Sequence, residues 1–165
     1  MNTCKILTTS ILESDGPLFD FLVIDEPFPE EILWPSPEIY ERFQFLQFGE
    51  YIMENIFRCF HVRDIFDYYD LSYYRGEEDL GMLIKNLESE MESFCALSTV
   101  AQFRQRFPYT FDYYLTDGTV DDDRTLFVNQ SWSDIRDDLV KILTCIRDKA
   151  VDCIKTGKVL AIVGI

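Results

Sequence analysis

Any chemistry in this chain has to come from carboxylates, phenols and thiols, because 30 Asp and Glu stand against a single histidine, His61. Paired carboxylates do acid–base work when burial drives their pKa values apart. Glu88 and Glu92 stack at i,i+4 with Glu90 between them, but they lie opposite the apolar stripe of their helix, so an exposed acidic face is expected. Cys59 and His61 suggest a thiol–imidazole pair. Residues two apart on a helix do not face each other, and the apolar neighbours Phe57 and Phe60 raise a thiol pKa, so structural or surface roles are expected for them. The cysteines show no C-x-x-C spacing, which argues against zinc. The acidic run Asp121–Asp123 near Asp117 offers oxygens to a hard cation, yet it lacks the alternating ligands and central glycine of an EF-hand loop. A solvated loop is the simpler expectation. The seven glycines are scattered, and no G-x-S-x-G, P-loop or dinucleotide fingerprint occurs. The expectation is a protein that is not an enzyme, with no metal and no cofactor.

Two aromatic–acidic clusters carry a different message. Residues 67–79 hold four tyrosines and five carboxylates with one arginine: Asp67, Tyr68, Tyr69, Asp70, Tyr73, Tyr74, Glu77, Glu78 and Asp79, with Arg75 among them. The theme returns at Asp112, Tyr113, Tyr114 and Asp117, followed by Asp121, Asp122 and Asp123. Tyrosine supplies large contact area at low rotamer cost and keeps a polar tip. Carboxylates around it complement Lys and Arg and speed encounter. Packing on a half-buried strand or loop is the competing account of each Tyr-Tyr pair.

Both clusters sit in basic-poor stretches. The net charge is −15, from 30 acidic and 15 basic side chains. Residues 124–165 carry 7 basic and 5 acidic groups, so the excess belongs to residues 1–123, with 8 basic and 25 acidic. A field of that sign repels phosphate backbones and anionic lipid heads and attracts basic proteins. Direct nucleic-acid or membrane contact is therefore not expected.

The elements that must position these residues follow from periodicity. Residues 4–12 and 18–24 read as strands joined through Ser14-Asp15-Gly16-Pro17, which suggests an N-terminal hairpin. Ser36-Pro37-Glu38 is a helix start. Beyond it Phe43, Phe45 and Phe48 fit a strand, while Ile39, Phe43 and Leu46 keep helical spacing. Ile52, Met53, Ile56, Phe57 and Phe60 give a helical stripe, and residues 77–97 the clearest helix. Ser98 is placed to cap a short helix through Phe103, with Pro108 as its stop. Residues 109–116 and 124–129 look strand-like, a second hairpin. A last helix opens at Ser131 or Ser133, with an Asp137–Lys141 pair at i,i+4 and Gly157 at its C′ position. Residues 158–163 form a nearly continuous apolar strand, of the kind covered on both faces.

The expected fold class is α+β, a single domain over 1–165: several helices on a small mixed or antiparallel sheet that includes the N-terminal hairpin and the C-terminal strand. An odd five cysteines read as reduced core thiols, and the N-terminus shows no secretory pattern, so a cytoplasmic location is expected. In size, acidity and absence of catalytic motifs the chain resembles the bacterial immunity proteins that neutralise contact-dependent or polymorphic toxins. That resemblance is one of general character, without a shared motif, and it implies a cognate basic toxin domain as partner, occluded at its active site. Two other readings stand beside it. One is a carboxylate- or divalent-metal-dependent enzyme, which requires converging buried carboxylates. The other is an acidic nucleic-acid mimic, which requires carboxylates spaced along an elongated face.

Overall fold

Among the described residues, four strands form one antiparallel sheet in the order β2-β1-β4-β3: β1 (Leu18–Ile24), β2 (Gln44–Gly49), β3 (Leu71–Tyr74) and β4 (Val159–Val163). The computed structural model describes residues 18–29, 35–107 and 122–164. Helices α1 (Pro37–Phe43), α2 (Glu50–Ile56), α3 (Gly76–Cys95), α4 (Val100–Arg106) and α5 (Asp122–Thr156) connect them, with a 3-10 turn at Phe57–Phe60. The α+β class expected from the sequence is the observed one.

Side-chain alternation divides the interior in two. Phe19 and Phe21 of β1, Leu160 and Ile162 of β4 and Tyr74 of β3 enter the main core beneath α3 and α5. Leu22, Ile24, Val159, Ala161 and Val163 point the other way, where Phe28, Tyr40 and Phe43 pack. All five residues of β4 are buried, as a strand paired on both edges and covered on both faces requires. Helix α3 lays Leu80, Leu83, Leu87 and Phe94 against the stripe Ile135, Leu139, Ile142, Ile146 and Ala150 of α5. Each such side chain withdrawn from water contributes roughly 1.5–3 kcal/mol before conformational entropy is subtracted.

The segment that fits both periods uses both. Helix α1 stops at Phe43 and β2 begins at Gln44. The β1–β2 register then slips between Phe21 and Leu22, so that Leu22 faces Gln44 and Phe45 is the extra residue. The bulge lets Phe45 and Leu46 both enter the main core. It also brings Gln44 to the face that Gln47 and Asp20 share: both amides donate to Asp20 Oδ1, at 2.6 and 2.8 Å. Burial outweighs those hydrogen bonds and pushes the Asp20 carboxyl up to about 6. A carboxyl whose pKa is higher folded than unfolded stabilises the fold at low pH and loses that contribution as pH rises through about 4 to 6. Asp20→Asn is therefore expected to raise stability above pH 7 by about 1 kcal/mol, discounted for partial exposure, and to lose that gain near pH 4. Urea melts of both chains across that pH range check it; an equal difference at every pH contradicts it.

Several local expectations are corrected. Residues 124–129 are helical, part of α5, so Ser131 and Ser133 lie inside that helix and do not open it. Local β propensity spans only about 1 kcal/mol and yields when a helix already packed on a core extends backward. The cap of α4 is Thr99, whose side chain accepts from Gln102 N–H at 3.2 Å, while Ser98 donates its backbone N–H to the Gln102 side chain. Lys141 pairs with Asp138 at 2.9 Å, one turn position nearer than Asp137. Gly157 does end α5, at φ +67°, with Lys158 N–H returning to the Cys153 carbonyl at 3.0 Å. The strand expected over 4–12 lies outside the described residues; β1, its expected hairpin partner, has β2 on one edge and β4 on the other. The strand expected over 109–116 also lies outside them. Cys59 and Cys153 are buried, Cys145 is half-buried, and Cys95 is exposed rather than a core thiol.

Candidate functional site

The first aromatic–acidic cluster separates into four places. Alternation along β3 sends Ser72 and Tyr74 inward and Leu71 and Tyr73 to the opposite face. Tyr74 is fully buried, with its hydroxyl donating to the Phe60 carbonyl at 2.5 Å, and so cannot meet a partner. Burial raises its phenol pKa far above the ordinary value. Tyr73 is half-buried against Phe28, ring centroids 6.4 Å apart. Glu77, Glu78 and Asp79 occupy the first turn of α3, where they suit the positive end of the dipole. Arg63 pairs with Glu78 and lies 3.5 Å from Asp79, so part of that charge is matched within the chain.

Asp67, Tyr68, Tyr69 and Asp70 remain, on the loop before β3. Their rings continue a surface strip. Tyr69 meets Tyr68 at 5.3 Å, Tyr68 meets Phe66 at 6.4 Å, Phe66 meets His61 at 5.5 Å, and His61 meets Phe57 at 5.6 Å. All are edge-on contacts, the arrangement ring quadrupoles favour. The strip is rooted in the core through Tyr68 on Phe19 (4.9 Å) and Phe66 on Phe60 (5.7 Å). Its two ends emerge: Tyr69 is 71% exposed and Phe57 39%.

Carboxylates border the strip. Glu50 Oε1 accepts from the Tyr68 hydroxyl at 3.2 Å. Partial burial, followed by the Glu50 charge, raises the Tyr68 phenol pKa, and the same two causes raise that of the Glu54 carboxyl. Asp67 Oδ1 accepts from Tyr69 N–H at 2.9 Å, and Asp70 Oδ1 from Leu71 N–H at 2.7 Å. Among the described residues, no Lys or Arg forms an ion pair with Glu50, Glu54, Asp67 or Asp70.

The loop that carries the exposed ring is held from two sides. Buried Ser72 accepts the Asp67 N–H at 2.8 Å and donates back to the Asp67 carbonyl. Gly164, just past β4, donates its N–H to the Asp70 carbonyl at 3.1 Å and presses its Cα face against the Tyr68 carbonyl. Upstream, Arg63 and Asp64 take positive φ, 50° and 59°, in a turn closed by Ile65 N–H on the Val62 carbonyl at 2.9 Å. That is an uncommon conformation for residues with a Cβ, and it sets Phe66 behind His61.

Glu50, Glu54, Phe57, His61 and Phe66 belong to this face and are absent from the sequence-derived set. A signal was present: 50, 54, 57 and 61 recur at helical spacing, with Glu50 and Glu54 flanking the apolar stripe and Phe57 at its edge. Of the second cluster, Asp112, Tyr113, Tyr114, Asp117 and Asp121 lie outside the described residues. Asp122 and Asp123 fall at the start of α5.

The other chemical constellations resolve plainly. Cys59 is buried and His61 exposed, and burial pushes the Cys59 thiol up to about 12. Glu88 and Glu92 are exposed as expected, whereas Glu90 is buried beside Arg106 and Arg58. Among the described residues, no three His, Cys, Asp or Glu side chains gather to hold a metal ion, and no helix is long and apolar enough to cross a membrane. No protein-family model, curated protein or solved structure matches the chain.

Proposed function

We propose that the chain is a binding protein that neutralises a basic protein, and that the strip from Tyr69 to Phe57 with its border of carboxylates is the contact face. One observation carries this: among the described residues the most exposed ring, Tyr69, and a second exposed ring, Phe57, belong to one continuous aromatic surface whose adjoining carboxylates have no cationic partner there. Exposed rings held in place supply anchors with little entropy left to lose, and surrounding carboxylates steer and select a cationic partner. The net charge of −15 extends that attraction beyond the contact itself. The partner that fits best is an enzyme with a Lys/Arg cleft for phosphates, blocked by occlusion. A cytoplasmic immunity protein set against a toxin nuclease matches that description.

The test is paired capture at low salt, from cells that make the natural partner, with the wild-type chain and a Tyr69→Ala, Asp67→Asn, Asp70→Asn variant as baits. The expected result is a protein with a basic domain that the wild type retains and the variant loses, released as ionic strength shortens the Debye length toward about 3 Å at 1 M. A partner held equally by both baits, or held unchanged in high salt, overturns the reading.

A further inference from the structure

The chain builds one constellation repeatedly: an aromatic ring beside a carboxylate. Twice, among the described residues, it fills that constellation itself, each time with arginine. Arg106 lies over Phe94 at 5.4 Å and Phe107 at 5.2 Å while its guanidinium pairs with Glu90. Arg136 lies over Trp132 at 5.4 Å and pairs with Asp137 at 2.7 Å. The Tyr69 ring, with Asp67 and Asp70 on either side of its own residue and Glu50 bound to the neighbouring phenol, is a third such arrangement, and no cation of the described chain pairs with those carboxylates.

We infer that the Tyr69 end of the strip receives an arginine side chain of the partner, its guanidinium stacked on the phenol ring and hydrogen-bonded to Asp67 or Asp70. The inference rests on the binding role proposed above and narrows it from a basic partner to an arginine-presenting one. The geometry favours arginine over lysine for two reasons. A guanidinium is planar, so it stacks on a ring and still presents a fork of N–H groups in its own plane to a carboxylate; an ammonium is a compact point charge that does one or the other. It is also more weakly hydrated, so less is lost on leaving water for a half-exposed ring. The backbone N–H bonds from Tyr69 and Leu71 engage the Oδ1 atoms of Asp67 and Asp70, which orients both carboxylates and leaves Oδ2 as the acceptor for an incoming donor.

The experiment titrates the whole chain at low salt with two probe peptides, acetyl-Gly-Arg-Gly-Arg-Gly-amide and its lysine twin, and follows the Tyr69 ring signals by NMR. The arginine peptide is expected to move those signals and to bind at least about threefold more tightly than the lysine peptide. Tyr69→Leu, an exposed change that leaves the core intact, is expected to bring the ratio to one. The double variant Asp67→Asn, Asp70→Asn is expected to weaken both peptides together. Equal affinities with shifts still centred on Asp67–Asp70 overturn the arginine preference and leave the acidic binding face standing. Shifts centred elsewhere, or binding of neither peptide, overturn both.

Discussion

Glu90→Ala is expected to destabilise the protein by about 3 kcal/mol, the lower end of what breaking a buried ion pair costs. Glu90 falls on the apolar stripe of α3, between Leu87 and Phe94, and is only 8% exposed. It is tolerable there because Arg106, at the end of α4, pairs with it and Arg58 approaches to 3.6 Å. Arg106 itself lies against the Phe94 and Phe107 rings, and burial lowers its pKa without removing its charge. Alanine leaves that guanidinium half inside the protein with no counter-charge and opens a hole beside Leu87. For a chain of this length the loss corresponds to a melting temperature lower by roughly 6–12 °C. Two companions separate charge from packing. Glu90→Gln keeps the volume and a hydrogen-bond acceptor and is expected to cost about half as much. Glu90→Leu with Arg106→Met removes both charges and is expected to recover most of the stability. A Glu90→Ala melt within 2 °C of wild type, roughly 1 kcal/mol, contradicts the account.

The same residue shows where sequence reasoning reaches and where it stops. Helix α3 was legible because Leu80, Leu83, Leu87 and Phe94 repeat at helical spacing, and β4 because Val159–Val163 is an unbroken apolar run. Both are statements about one element. Glu90 is buried for a reason sixteen residues away in Arg106, and a pattern along α3 alone puts a glutamate on the outside. The bulge at Phe45 is of the same kind: only the pairing with β1 decides that two successive residues of β2 face one core. The start of α5 had a local trace, since Val128, Trp132, Ile135 and Leu139 continue the helical period, but the β-branched and aromatic residues at 125–128 outvoted it. At the candidate face the composition of 67–79 singled out the loop on which Tyr69 lies exposed. Period-2 alternation on β3, the strand packing that stood as the competing account of this pair, then removed Tyr74 to the core and Tyr73 to the other side of the sheet. The contributions of α2 and the 3-10 turn arrive through the fold, which sets Glu50, Glu54, Phe57 and His61 beside a loop that follows them in sequence.

Gly164→Ala is expected to have the second large effect, and it links the sheet to the proposed contact face. A Cβ at this position would overlap the carbonyl of Tyr68 and lie 3.0 Å from the Asp70 nitrogen. Both obstacles are backbone, so no side-chain rotation relieves them; either β4 shifts or the 68–70 loop withdraws. Moving β4 disturbs a fully buried strand paired on both edges. The loop is therefore the part that yields, surrendering the Gly164 N–H bond to the Asp70 carbonyl and straining the Ser72 contact with Asp67. The expected cost is about 2 kcal/mol, the usual scale of overpacking, with a displaced Tyr69 ring visible as changed aromatic NMR shifts in an otherwise native spectrum. Affinity for a partner that docks on the strip should fall more than stability does, since a face that must first be re-formed loses its preorganisation. Gly157→Ala is the control. That glycine also has a special role, at φ +67°, but nothing lies within 4 Å of its added Cβ. Its replacement is expected to cost about 1 kcal/mol through backbone strain alone and to leave the Tyr68 and Tyr69 signals where they are. If the two alanine variants perturb the strip equally, the loop is not held by Gly164 and the preorganisation argument fails with it.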